Sequence, residues 1–373
     1  MKITAAVLGR SGGNARPFAD HQPLRLTELE LEPPRAGELL IRIDAAGLCH
    51  SDLSVVNGDR PRPMPMAIGH EATGIVEALG SPDDSQFAVG DRVVLAFLPA
   101  CGECVRCQSG EGYMCANGAA ANGEGRMLRG GRRLSCGDGE VHHHLGVSAF
   151  ATHAVVDRRS AVKIDADVPP QIAALFGCAV LTGVGAVMNS ARLRPGESAV
   201  IYGLGGVGLA ALLGVLASGG VPIVAIDPFA DKRAVAERLG AIAVSPDDAA
   251  AAIARHIPGG ADVVIETVGR AAVLAEAYGA GRRGARIVTV GLPNPSEMLT
   301  IPAVSLVAEG KTLIGSYMGS SIPARDIPRY IALWRAGRLP VENLLTSVSP
   351  LAEINALLDT LADGRAIRQI VVP

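Results

Sequence analysis

Two cysteines and one histidine, far apart in the chain, could together hold a catalytic metal ion. Cys49 follows a predicted strand, His70 opens the next one, and Cys178 comes much later. Two thiolates and one imidazole leave the fourth position of a tetrahedral zinc open for a substrate. Each residue alone also has a structural explanation, because an isolated Cys is usually buried and an isolated His often occupies a turn. The spacing does not show that the three side chains meet.

A second group of cysteines forms a tighter pattern, with Cys101, Cys104, Cys107 and Cys115 close together in the chain. Four thiolates can close a tetrahedral zinc site with no open position, so its role would be structural. A disulfide pair or a chance cluster is the alternative. The pattern predicts a zinc lobe over about residues 97–118 that holds a loop with few apolar side chains of its own.

Other potential ligands have simpler explanations. Residues 116–140 are rich in Gly, Ala and Arg, which predicts an irregular surface loop. Cys136 lies in this loop without a nearby partner, so we expect a free thiol. The tract from His142 to His144 resembles a metal-binding run, but it precedes a predicted strand at 150–156, and we interpret it as loop or pocket wall.

A glycine-rich turn predicts a dinucleotide site. Gly203, Gly205 and Gly208 lie between a strand at 198–202 and a helix at 206–218, and a second strand at 222–226 ends at Asp227. The glycines allow a tight turn, close approach of a pyrophosphate and close helix packing. A carboxylate at Asp227 can accept hydrogen bonds from the ribose hydroxyls and would repel a 2′-phosphate, which favours NAD. We expect Lys232 to add a ribose or phosphate contact.

The uncharged run at 199–217 could also be interpreted as a membrane span. Its glycines divide it into a strand and a helix, so a buried βαβ core explains it better. A net charge of −3 and only 3% aromatic residues argue against nucleic-acid binding. No targeting segment is evident, and we expect a cytoplasmic protein.

The 373 residues predict two domains. Residues 1–179 and 323–373 are mostly short strands between Gly and Pro turns, as in a small barrel or sandwich. Residues 180–322 alternate strands and helices, as in an inserted, doubly wound parallel sheet. The predicted strands there are 198–202, 222–226, 242–244, 261–266, 285–290 and 311–316. The fold class is therefore α/β.

Together, the four-cysteine lobe, the run from Gly203 to Gly208 and the ending at 364–368 resemble the zinc-dependent medium-chain alcohol dehydrogenases, in particular the branch of the liver-type and formaldehyde dehydrogenases. The resemblance covers nearly the whole chain. It implies a GroES-like catalytic domain with an inserted Rossmann domain, two Zn²⁺ per chain, NAD, a small alcohol or aldehyde substrate, and a homodimer.

The resemblance also implies roles for single residues. It places catalytic zinc on Cys49, His70 and Cys178, with Glu71 behind it, Ser51 beside the alcohol, and Asp52 as the partner of His70. It places His50 and Arg368 at the pyrophosphate and Thr182 near the nicotinamide. The predicted cofactor contacts are His50, Thr182, Gly203, Gly205, Gly206, Val207, Gly208, Asp227, Lys232, Val290, Leu292 and Arg368. The predicted substrate pocket contains Ser51, Phe97, His144, Leu292 and Tyr317.

Three positions depart from the family pattern. Ser54 stands where many relatives carry the histidine that ends a proton relay. Ala119 and Arg60 stand where the glutathione-dependent branch carries an arginine and an aspartate, which argues against a glutathionyl substrate. The alternatives are a formaldehyde dehydrogenase using another thiol adduct, a polyol or threonine dehydrogenase, and, from a different class, a zinc-stabilised binding module.

Overall fold

The chain divides into two units. The structure is a computed structural model and describes all residues from 1 to 373. The first unit contains Met1–Cys178, Ile322–Pro328 and Leu345–Pro373, and the second contains Ala179–Ser321 and Arg329–Leu344. The sequence predicts that all of 323–373 belongs to the first unit. Residues 329–344 instead pack in the second, where Arg338 donates to the carbonyl of Ala217 and Asn189 donates to the hydroxyl of Tyr330.

The strands are β1 Lys2–Leu8, β2 Leu24–Leu31, β3 Glu38–Leu48, β4 Met66–Ala67, β5 Ala72–Leu79, β6 Arg92–Leu95, β7 Leu134–Cys136, β8 Gly139–His143, β9 His153–Asp157, β10 Ala161–Ile164, β11 Ala199–Tyr202, β12 Ile223–Ile226, β13 Ile242–Val244, β14 Ala261–Glu266, β15 Gly281–Thr289, β16 Thr312–Gly315, β17 Leu345–Pro350 and β18 Arg368–Val372.

The α-helices are α1 Phe18–His21, α2 His50–Asn57, α3 Val105–Gln108, α4 Ala116–Glu124, α5 Pro170–Ala173, α6 Ala179–Gly185, α7 Gly206–Ala217, α8 Ala230–Arg238, α9 Ala249–His256, α10 Ala271–Ala280, α11 Ala303–Ala308, α12 Pro323–Arg335 and α13 Ile354–Ala362. A π-helical turn covers Ala186–Ala191, and 3-10 turns cover Gly112–Met114, Arg158–Ser160, Ala174–Gly177, Pro246–Asp248, Tyr317–Ser320, Val341–Leu344 and Leu351–Glu353.

Strand β3 organises the first unit. It pairs with β5, β9 and β18 in a seven-stranded sheet, beside which β1, β2, β7, β8 and β4 close a small barrel. Its buried side chains Leu39, Ile41 and Ile43 join the main core of this unit. Because β3 runs directly into Cys49, the sheet fixes where the first candidate ligand lies.

The prediction of an irregular loop at 116–140 is wrong. Residues Ala116–Glu124 form helix α4, and β7 and β8 form a hairpin that joins the barrel. The sulfur of Cys115 accepts the backbone N–H of Gly118 at the start of the helix, and Gly125 ends it with a φ of 63°. The alanines of this stretch favour a helix once such a cap is present, whereas the Gly and Arg content alone suggested a loop.

The second unit is built on six parallel strands in the order β13-β12-β11-β14-β15-β16. Its strands lie within a few residues of the predicted ones, because uninterrupted apolar runs mark buried parallel strands. No single helix is long and apolar enough to cross a membrane, although the bent pair Pro170–Gly177 and Ala179–Ala191 passes by length and composition. The uncharged run at 199–217 divides into β11 and α7.

Candidate metal centre and dinucleotide turn

Four buried donors converge in the first unit. One ligand atom from each of Cys49, His70, Glu71 and Cys178 lies within 4.8 Å of the other three. Cys49 lies between β3 and α2, His70 and Glu71 precede β5, and Cys178 follows the 3-10 turn Ala174–Gly177. Three residues that are distant in sequence therefore meet, which their spacing could not show.

Asp52 orients two of these donors. Its Oδ1 lies 2.9 Å from Nδ1 of His70, and its Oδ2 accepts the backbone N–H of Cys49 at 3.0 Å. Burial alone would lower the pKa of His70, but the Asp52 carboxylate outweighs it and raises that pKa well above its usual value. The other ring nitrogen, Nε2, is buried without a hydrogen-bond partner. An orphaned imidazole nitrogen between thiols fits a metal ligand.

The sulfurs of Cys49 and Cys178 are close enough to form a hydrogen bond. A hydrogen bond from Cys178, together with the nearby Arg368, holds the pKa of Cys49 well below its usual value, and the same hydrogen bond raises the pKa of Cys178. Cys49 is therefore the thiol that loses its proton more readily. Thiol ligands of zinc bind as thiolates, so both thiols would be deprotonated when the ion is bound.

Glu71 lies behind this cluster. A Cβ added at Gly47 would lie 2.1 Å from Glu71 Oε1, so the carboxylate occupies space that only a glycine leaves. Burial raises the pKa of Glu71 to about 7, although the Arg368 guanidinium lies 3.4 Å from its Oε2. Arg368, predicted at the pyrophosphate, is buried here and donates to the carbonyl of Leu48.

Two rings flank the His70 imidazole. Phe97 and His144 each lie 5.6 Å from it, centre to centre, in edge-to-face geometry. His144 Nδ1 also lies 3.3 Å from Asp52 Oδ1, and burial lowers the pKa of His144. The histidine tract is thus divided, because His142 and His143 belong to β8 and only His144 reaches the cluster. No sequence signal indicated that Asp52 contacts two histidines.

The remaining predicted residues of the catalytic region are spread over both units. Ser51 Oγ lies 3.9 Å from the sulfur of Cys49, and Ser54 Oγ donates to the carbonyl of His50. In the second unit, Leu292 is 54% and Tyr317 36% exposed.

The four-cysteine lobe is a second donor cluster. The sulfurs of Cys101, Cys104, Cys107 and Cys115 lie within 4.8 Å of one another. Backbone N–H groups point at them: Cys101 Sγ accepts from Cys104, and Cys115 Sγ accepts from Cys101 and Gly118. A backbone N–H from Cys107 lowers the pKa of Cys104 to about 6. Thiolates held this way fit a closed tetrahedral zinc site, and Cys136 lies elsewhere, exposed.

The three glycines of the turn after β11 meet different constraints. Gly203 has a φ of 88°, and a Cβ at Gly208 would lie 1.8 Å from the carbonyl oxygen of Gly203. At Gly205 an added Cβ would meet nothing within 4 Å. Gly206 and Val207 open helix α7, so their N–H groups have no acceptor within the helix.

Asp227 directly follows β12 and is buried at 5% exposure. Its Oδ2 accepts the N–H of Leu204 and its Oδ1 that of Phe229, so the carboxylate ties the glycine turn to the next loop. Lys232 lies over the ring of Phe229, 4.9 Å from its centre, and burial lowers the pKa of this lysine. Thr182 is buried in α6, and Val290 follows β15.

Comparison with known proteins agrees with this architecture. The family model described as "Alcohol dehydrogenase GroES-like domain" matches residues 35–166, and the one described as "Zinc-binding dehydrogenase" matches residues 206–335. The NDMA-dependent alcohol dehydrogenase of Amycolatopsis methanolica is 36% identical over 380 residues, which is 100% of this chain and 99% of the relative.

Two solved structures are similar along their whole length. Benzyl alcohol dehydrogenase from Acinetobacter calcoaceticus gives a TM-score of 0.91 at 31% identity, covering 100% of this chain and 99% of that one. An alcohol dehydrogenase zinc-binding domain protein from Burkholderia ambifaria gives 0.92 at 33% identity with the same coverage. The chain belongs to the zinc-binding, medium-chain alcohol dehydrogenase family. It is an enzyme of that family, with the GroES-like and Rossmann domains that the resemblance implied.

Proposed function

We propose that the protein is an NAD-linked alcohol dehydrogenase that interconverts alcohols with aldehydes or ketones at a zinc ion held by Cys49, His70 and Cys178. The observation that carries this proposal is the buried meeting of these donors, with Nε2 of His70 lacking any other partner. Glu71 is a fourth donor within reach of the others. A zinc ion bound there would act as a Lewis acid on the substrate oxygen.

The residues around the donors prepare the site. Asp52 fixes the His70 tautomer, because a carboxylate on Nδ1 leaves Nε2 as the ligand atom. Ser51, next to Cys49 on α2, is the hydroxyl proposed to exchange the proton of the substrate. Ser54 already donates to a backbone carbonyl, so the proton continues by a route other than the usual histidine.

The second unit would bind NAD, which carries the hydride. The open space beside Gly205 and the free N–H groups at the start of α7 suit a pyrophosphate. Each oxygen of Asp227 accepts one backbone N–H and retains a lone pair for a ribose hydroxyl. A buried carboxylate there would repel the 2′-phosphate of NADP, which is why we propose NAD.

The lobe of Cys101, Cys104, Cys107 and Cys115 would hold a second, structural zinc, for a total of two per chain. Its role is to hold the segment between β6 and α4, which carries few apolar side chains of its own.

The substrate class is proposed from a relative and from the rings beside the cluster. The benzyl alcohol dehydrogenase among the relatives makes aromatic alcohols reasonable first candidates. His144 contacts Asp52 and is buried against His70, so it adds a polar ring beside the cluster. A formaldehyde dehydrogenase acting on a thiol adduct remains the alternative, and adding thiols to a formaldehyde assay distinguishes the two.

We also propose a homodimer in which two copies pair through the second unit. Strand β16 ends the six-stranded sheet, so its outer edge has no strand beside it. Met298, Val304 and Val307, which precede this strand, are 82%, 73% and 88% exposed. Such apolar exposure beside a sheet edge is typical of an interface. Sedimentation equilibrium should give twice the chain mass.

A cytoplasmic location stays a prediction from the sequence.

The direct test is a turnover assay with purified protein. Wild type should oxidise benzyl alcohol or ethanol with NAD and reduce the corresponding aldehyde with NADH, and a strong chelator should stop both reactions. Turnover that survives complete removal of metal, or that requires NADP, would contradict the proposal.

A further inference from the structure

Helix α4 connects the four-cysteine lobe to the wall of the candidate active site. Its N-terminus is capped by the sulfur of Cys115, and Asn122 lies two turns further along. The Asn122 side-chain N–H donates to the carbonyl of Phe97 at 2.8 Å, and the Phe97 ring packs edge-on against His70. A short path of direct contacts therefore runs from a lobe cysteine to a ring on a catalytic-cluster ligand.

A close backbone contact strengthens this path. A Cβ added at Gly118, in the first turn of α4, would lie 2.3 Å from the carbonyl oxygen of Pro99. The first turn of helix α4 thus contacts the backbone at Pro99, and Asn122 near its other end forms a hydrogen bond with Phe97. Arg62 donates to the backbone carbonyl of Asn122 at 3.1 Å and holds the last turn of the helix.

Burial of the Asn122 side chain costs free energy of folding. Asn122 is 4% exposed, and its Oδ1 has no hydrogen-bond partner. An apolar side chain of similar size would fill the space without burying an unpaired acceptor. The residue makes sense if its N–H is needed to hold Phe97 in place.

We infer that Asn122 is a positioning residue through which the four-cysteine lobe sets the place of Phe97 and so the size of the substrate space beside His70. This inference rests on the proposed function for its kinetic consequence, but not for its structural one. The kinetic constants for a small alcohol should depend little on the position of Phe97. Those for an aromatic alcohol, which must pack beside that ring, should depend on it strongly.

The test compares Asn122→Leu with wild type, using ethanol and benzyl alcohol as substrates. Leucine keeps the volume and removes the donor. We expect both zinc ions and NADH affinity to be retained, kcat for ethanol to change less than about twofold, and KM for benzyl alcohol to rise about fivefold, the effect of one hydrogen bond. Ala120→Leu, on the exposed face of the same helix, is the matched control. Asn122→Ala replaces Asn122→Leu if the latter does not fold.

Hydrogen–deuterium exchange gives a readout that needs no turnover. A peptide that contains the backbone amides of Phe97 and Leu98 should exchange faster in Asn122→Leu than in wild type or Ala120→Leu. Unchanged exchange with an unchanged KM ratio would overturn the inference, and so would equal loss of activity on both alcohols together with loss of zinc. If wild type oxidises no alcohol, the proposed function fails, and the exchange experiment still decides the role of Asn122.

Discussion

Asp52 joins the two halves of the candidate metal centre, with one carboxylate oxygen 2.9 Å from Nδ1 of His70 and the other on the backbone N–H of Cys49. It is fully buried, so the charge acts on both partners with little screening by water. The same Oδ1 lies 3.3 Å from His144. A single carboxylate thus determines the orientation of the imidazole and of the strand end that carries the first thiol.

Asp52→Asn should weaken the centre without unfolding the unit. The amide oxygen can still accept from Nδ1, but the negative charge that makes His70 a strong ligand is lost. We expect zinc affinity, measured by chelator competition, and kcat/KM to fall about 10- to 100-fold. Asp91→Asn, at a surface pair with Lys163, is the control. Unchanged zinc affinity in Asp52→Asn would disprove the assigned role.

The lobe should behave as a closed structural site. Cys104→Ser removes a ligand whose pKa is already low, so we expect one zinc per chain to be lost and the melting temperature to fall. Cys136→Ser, which changes an exposed thiol outside the lobe, should leave both values unaltered. Metal analysis and thermal unfolding check this pair, and a fully metallated Cys104→Ser protein would exclude the proposed lobe site.

Alanine substitutions at two glycines of the dinucleotide turn should have different effects on stability and on NADH binding. Gly205→Ala has room for its Cβ and a φ of −69°, so the melting temperature should stay near that of wild type while NADH binding weakens. Gly208→Ala would push a Cβ into the carbonyl of Gly203, so it should destabilise the second unit itself. Thermal unfolding and NADH titration separate the two effects. Tight NADH binding by Gly205→Ala would place the pyrophosphate elsewhere.

Coenzyme choice should depend on Asp227. In Asp227→Ser the charge that repels a 2′-phosphate is gone, and two backbone N–H groups lose a strong acceptor. NADH affinity should fall about tenfold or more, and the ratio of NADPH to NADH affinity should rise. Asp231→Ser, in the first turn of α8, keeps the native ratio. Fluorescence titration measures both constants, and a wild-type protein that prefers NADPH would refute this assignment.

Much of this architecture can be predicted from local patterns. The glycine turn, its strand and helix, and Asp227 lie close together in the chain, so pattern and spacing suffice for that part of the fold. The convergence of Cys49, His70 and Cys178 depends on how β3, β5 and the turn before Cys178 meet, which no local pattern contains. Helix α4 was mispredicted for a related reason, because the cap that starts it is a sulfur that also serves the lobe.

The contacts of Asp52 with His144 and of Asn122 with Phe97 join residues that are far apart in sequence, and neither type of pair has a characteristic spacing. Arg368 shows a further limit. Its place at the pyrophosphate, implied by the resemblance, stays a prediction, and its contacts with Glu71 and a backbone carbonyl in the first unit have no signal in the sequence. Burial and ion pairs of this kind can be seen only in coordinates.

The most direct test is the zinc content and alcohol turnover of Cys178→Ala beside wild type. Wild type should contain two zinc ions per chain and be active. Cys178→Ala should retain the lobe zinc and its NADH affinity, but lose the other zinc and its turnover. A Cys178→Ala protein that still oxidises alcohols at the wild-type rate would contradict a catalytic metal held by Cys49, His70 and Cys178.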